Sequence, residues 1–187
     1  MPTQSFLLYL LIVGCEVAFW LVLLLSLAVR YLLKRAVLSR WLLRSLPLID
    51  LLLLAFTAWD LSAGTSATLA HGLAAVYVGF TIAFGSTVIR WADENFAYRF
   101  ASGPPPARAP TSRWKAVRFE LQLWLRCIVA WIIALGLIET LTAYVGNETI
   151  TEPLRVWHKH GFGCVFFWFV FGPAWSLVFF RRTPSDA

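Results

Sequence analysis

Six ionisable side chains stand inside apolar stretches of this sequence, and they are where its chemistry would have to reside. They are Glu16, Asp50, Asp60, His71, Arg126 and Glu139. Charged groups in a hydrocarbon environment are costly, face a bundle interior or water, and mark functional positions by default. At a helical rise of 1.5 Å per residue, Asp50 stands about 9 Å above Arg44 and Arg126 about 12 Å above Arg118. Their matching depth predicts a structural ion pair, Asp50 with Arg126, since mutual neutralisation is the cheapest way to keep both charges buried.

The other four lie higher. Glu16 is about 21 Å from Arg30, Asp60 about 24 Å from Arg44, His71 about 28 Å from Arg90 and Glu139 about 31 Å from Arg118. Three carboxylates and an imidazole from four helices thus form a candidate polar site, equipped for proton relay or for holding a cation, because imidazole titrates near neutral pH. Glu16 is the most costly of them. The simplest role for His71 is to cap its helix or to hydrogen-bond Asp60 across a tight turn.

Metal and cofactor signals are weak. His71, His158 and His160 are candidate ligands, the last two as an H-x-H in WHKH, yet no H-E-x-x-H or other tight ligand pair occurs within an apolar block. Axial ligation of a b-type haem by His71 with His158 or His160 requires two inward-facing histidines at one depth. No cofactor is favoured. Cys15, Cys127 and Cys164 fall in apolar blocks without a C-x-x-C spacing, and read as small buried residues. No nucleophile with an adjacent base can be picked out, which disfavours an enzyme.

The elements that must position these residues follow from composition. In 187 residues, 59% are hydrophobic and only 14% charged, with ten Trp and fifteen Phe. A wet globule does not have that balance, and several apolar blocks approach the roughly 20 residues that a helix needs to cross a bilayer. We read a single all-α transmembrane domain, a bundle of about five helices spanning residues 5–29, 46–61, 68–91, 121–145 and 161–180. Pro47 is placed in the first turn of the second span, where its missing N–H costs nothing. Gly172-Pro173 predicts a kink in the fifth. The longest polar interval is a loop at 92–120 containing SGPPPARAP, flanked by WADENFAYRF and RWKAVRFELQLW, which mix aromatics with charges as interfacial segments do.

Thirteen of the sixteen Lys and Arg residues fall at 30–44, 90–118 and 181–182, all on one side of such a bundle. The positive-inside rule then sets the N-terminus outside and the C-terminus in the cytoplasm. The formal charge of +6 follows from this topology and does not call for a nucleic-acid partner. In the third span, Gly72, Ala75, Gly79, Ala83 and Ser86 recur at spacings of three, four and seven, a small-residue stripe that lets helices approach closely. His71 borders that stripe, whereas Tyr77, about 120° away, belongs to another contact.

The series GCEVAFW, PLIDLLLL, DLSAGTSATLAHGLAAVYVGFTIAFG and RWADENFAYRFASGPPP resembles a family of small, uncharacterised bacterial integral membrane proteins. The likeness covers the first three helices and the loop after them. It implies a bacterial cytoplasmic membrane and carries no established activity over to this chain. The sequence therefore favours a non-enzymatic scaffold whose partners are the lipid bilayer and other membrane proteins or further copies of itself. The alternative is a transporter or channel component handling protons or a cation through Glu16, Asp60, His71 and Glu139.

Overall fold

The computed structural model of the chain describes residues 2–107, 109–110 and 113–178, and these are helical apart from short connections. Four long helices come first: α1 (Pro2–Tyr31), α2 (Ala36–Ser62), α3 (Leu69–Phe100) and α4 (Arg113–Val145). A short α5 (Glu148–Thr151) and a 3-10 turn (Glu152–Arg155) lead into α6 (Val156–Phe169), a π-helical segment (Val170–Ala174) and α7 (Trp175–Val178).

The interior combines leucines such as Leu23, Leu27, Leu53 and Leu61 with small and polar residues, among them Ala70, Ala74, Ala75, Ala130, Ala134, Ser26 and Thr57, each at most 1% exposed. Large apolar residues such as Leu21, Leu52, Ile132, Phe162 and Phe171 point outward. Such an exterior is stable only against lipid, and the small interior residues are what let helices pack where water supplies no driving force. Four stretches, Val37–Ser62, Leu69–Phe100, Trp114–Val145 and Glu148–Val178, are long and apolar enough to cross a membrane. In α1 the corresponding apolar stretch among the described residues is shorter, Val17–Tyr31.

Local signals explain where the helices stop. Gly64 takes a φ of +88° after α2, and Gly146 one of +64° after α4, left-handed conformations that glycine adopts without steric cost. Asn147 then caps α5, its Oδ1 accepting from the backbone N–H groups of Thr149 and Ile150. The last span departs from regular α-helix around its Gly-Pro pair. Pro173 has no N–H to donate, and it sits in the π-helical segment with Gly172.

Helices run beyond the expected spans. α2 begins at Ala36, so Pro47 lies well inside it and not in its first turn, a placement that membrane helices tolerate because neighbouring groups can satisfy the freed carbonyl. α3 continues through WADENFAYRF to Phe100, and α4 is already helical from Arg113, so the described non-helical chain between them is residues 101–107 and 109–110. The tail with Arg181 and Arg182 lies outside the described residues.

The stripe on α3 does the packing expected of it. A Cβ on Gly72 would collide with the Trp157 indole, and one on Gly79 with the Ala130 carbonyl oxygen of α4. Ala75 packs among Leu61, Ala67, Ile138 and Leu154. Tyr77 turns instead to α1, where its ring meets Phe19 edge-on at 6.3 Å.

Candidate functional site

His71 is at once a capping residue and one half of a polar pair. Thr68 is the N-cap of α3, its hydroxyl receiving the His71 backbone N–H while its own N–H donates to His71 Nδ1 at 3.0 Å. This is a capping box with an imidazole in the place usually held by Glu or Gln. A backbone N–H can only donate, so Nδ1 must present its lone pair, and the ring proton belongs on Nε2. Nε2–H then donates to Asp60 Oδ2 at 3.0 Å, across the hairpin between α2 and α3. The other Asp60 oxygen accepts from Thr65 Oγ1 at 3.1 Å. His71 is 0% exposed, so both ring nitrogens are engaged in a sealed environment. Neither is free to ligate a haem or a metal ion.

The remaining residues of the outer group do not join this pair. Glu139, near the end of α4, accepts from His158 Nε2 at 3.0 Å on α6, with both side chains largely exposed. Together they line a cleft of about 400 Å³ with Thr142, Glu148, Thr151 and Arg155. The Nδ1 of His160 bonds the Val156 carbonyl at 2.9 Å within its own helix. Glu16 lies in α1, but its side chain falls outside the described residues. Among the described residues, no group of three or more His, Cys, Asp or Glu side chains is placed to share a metal ion.

The inner pair is a correction. Arg126 does not meet Asp50; its Nη1 donates to Thr87 Oγ1 at 2.6 Å and to the Ala83 carbonyl at 3.3 Å, both on α3. Asp50 is 1% exposed, and neither of its oxygens has a hydrogen-bond partner among the described residues. Depth reasoning failed because α2 starts ten residues earlier than the apolar block suggests, which puts Asp50 about 21 Å from one end and about 18 Å from the other. It failed also because a guanidinium can satisfy itself on a backbone carbonyl and a hydroxyl.

One polar centre was not anticipated. Asp93 Oδ1 receives Arg30 Nη1 at 3.3 Å and the Tyr31 hydroxyl at 3.1 Å, locking the end of α1 to the extension of α3. Tyr31 in turn stacks on Phe96, with ring centroids 5.7 Å apart. The signal available in the sequence was an acid, within WADENFAYRF, at the same end of the bundle as the basic run beginning at Arg30.

An uncharacterised membrane protein of Bacillus subtilis (strain 168), YmcC, is 42% identical to this chain over 146 residues, 77% of either chain. The chain belongs to the YmcC family of membrane proteins. With four helices long and apolar enough to cross a membrane, this makes it a multi-pass integral membrane protein. The finding agrees with the sequence resemblance as far as an uncharacterised bacterial membrane protein. No family model matches the chain, and no solved structure does.

Proposed function

We propose that the protein is a non-enzymatic scaffold of the bacterial cytoplasmic membrane, with its N-terminus outside, and that it docks partners on the cytoplasmic extension of α3. The observation that carries this reading is the state of that extension. Asp93 pins it to α1, while Trp91, Tyr98 and Phe100 remain 59%, 52% and 61% exposed. Trp91 and Tyr98, seven residues apart, share one face of the helix. Rigid exposed aromatics at a fixed angle are what a partner can use as anchors, since they offer large contact area with little conformational freedom to lose. Beside them, the loop after α3 folds back, the Ala107 N–H donating to Glu94 Oε2 at 3.2 Å.

The alternative reading, a proton or cation path through the outer carboxylates and His71, has less support. His71 and Asp60 satisfy each other, and Glu139 is engaged with His158. A scaffold predicts that replacing Trp91, Tyr98 and Phe100 together by alanine leaves a folded protein that loses a defined co-purifying membrane partner. Recovery of the wild-type protein alone, repeated in mild detergent and after crosslinking, would count against it.

A further inference from the structure

Asp50 occupies the middle of the inward stripe of α2, between Leu46 and Leu53, with Thr57 and Leu61 continuing the same face. The groups that face it are Cys15 from α1 and Thr81 from α3, neither of which carries a positive charge. Arg126, which lies deeper in α4 than Lys115 and Arg118, is turned to Thr87 and Ala83. Among the described residues, then, no cationic side chain of the chain answers this carboxyl group.

Thr81 is also part of the wall of a second feature. A cleft of about 370 Å³ opens between α1, α3 and α6, lined by Phe19, Trp20, Tyr77, Phe80, Phe84 and Trp168 in addition to Thr81. Its rings are ordered: Phe80 stacks on Phe84 at 5.7 Å, and Phe84 on Trp168 at 5.6 Å. Trp20 is 44% exposed at its edge, so the cleft is reached from the lipid side. Aromatic faces carry negative charge density and attract cations, most strongly where water is excluded. A hydrated metal ion has no oxygen cage here to replace its water.

We propose that this cleft binds a lipophilic organic cation, whose charge lies against the aromatic faces at Thr81 and supplies the counter-charge that Asp50 lacks. Shape and charge are divided between the two parts of the site. The rings accept the apolar body, and Asp50, which faces the cleft-lining Thr81, selects the sign of the charge. This binding role does not depend on the docking role of the α3 extension.

The test uses the full chain in mild detergent and two probes of one shape and opposite charge, tetraphenylphosphonium and tetraphenylborate, followed by equilibrium dialysis. The phosphonium should bind saturably and the borate should not. Asp50→Asn, which keeps size and removes the charge, should weaken phosphonium binding by about tenfold or more. Gly85→Leu provides a second variant that leaves Asp50 intact. Gly85 also lines the cleft, and a Cβ there meets only Thr81 Cγ2, at an ordinary 3.8 Å, so the substitution adds bulk at the cleft wall from a position where a Cβ itself meets no clash. It should reduce binding as strongly. Equal binding of both probes, absence of saturable phosphonium binding, or unchanged affinity in folded Asp50→Asn or in Gly85→Leu would overturn the proposal.

Discussion

The imidazole of His71 joins Asp60 across the α2–α3 turn, Nε2 to Oδ2 at 3.0 Å, while its Nδ1 caps the helix that His71 helps to begin. One side chain thus fixes both the start of α3 and its approach to α2. The histidine that looked out of place in an apolar segment closes a hairpin.

His71→Ala should therefore be severe. It removes a cap bond, a hydrogen bond to a carboxylate and a buried ring, a combined loss of about 3–4 kcal/mol. His71→Gln, which can still accept from the Thr68 N–H, should lose roughly half as much. Unfolding in mixed detergent micelles measures both, and equal losses would contradict the capping role.

Close approach along α3 predicts a graded response to added methyl groups. At Gly79 a Cβ meets the Ala130 carbonyl oxygen of α4, a backbone atom that cannot step aside, so Gly79→Ala should cost about 2 kcal/mol. Gly85→Ala, with nothing nearer than Thr81 Cγ2 at 3.8 Å, should stay within about 0.5 kcal/mol of wild type. Thermal unfolding of the two variants side by side checks the order.

The Glu139–His158 pair should matter little to stability. Both partners are largely exposed, at 63% and 45% for their side chains, where ion pairs contribute at most about 1 kcal/mol. Glu139→Gln is expected to shift the unfolding midpoint only marginally, far less than any change at His71.

Asp50 and Arg126 should behave as independent residues. In a double-mutant cycle of Asp50→Asn and Arg126→Gln, the coupling is expected to fall below about 0.5 kcal/mol, as for side chains without a shared contact. A coupling of about 2 kcal/mol or more would restore the ion pair expected from depth alone.

Much of this architecture is legible in the sequence because a bilayer imposes simple requirements. Apolar length announces the membrane-crossing helices, Gly72, Ala75 and Gly79 announce the face that packs against α4 and α6, and Gly172-Pro173 announces the irregular turn in the last span. What was not legible is where helices continue past the hydrocarbon. Amphipathic segments such as 36–45 and 92–100 carry charges that resemble a loop in composition, yet they cost nothing as helix when their polar faces are wet. The polar partners were legible only where the chain itself brings them together. His71 and Asp60 are linked by a short turn, so their contact is nearly dictated by sequence. Asp50 and Arg126 lie on helices whose rotation the sequence does not reveal, and a pairing inferred from depth alone had no angular information behind it. Asp93 was overlooked for the same reason, its partners Arg30 and Tyr31 being 62 residues or more away.

The scaffold reading is tested most directly by site-specific photocrosslinking in living cells. A photoreactive amino acid in place of Phe100, on the exposed α3 extension, should yield a discrete adduct with one membrane or cytoplasmic protein. The same residue in place of Ile132, which is 65% exposed on the apolar flank of α4, should yield lipid adducts. Lipid adducts alone at both positions, with the protein otherwise recovered unmodified, would contradict the account.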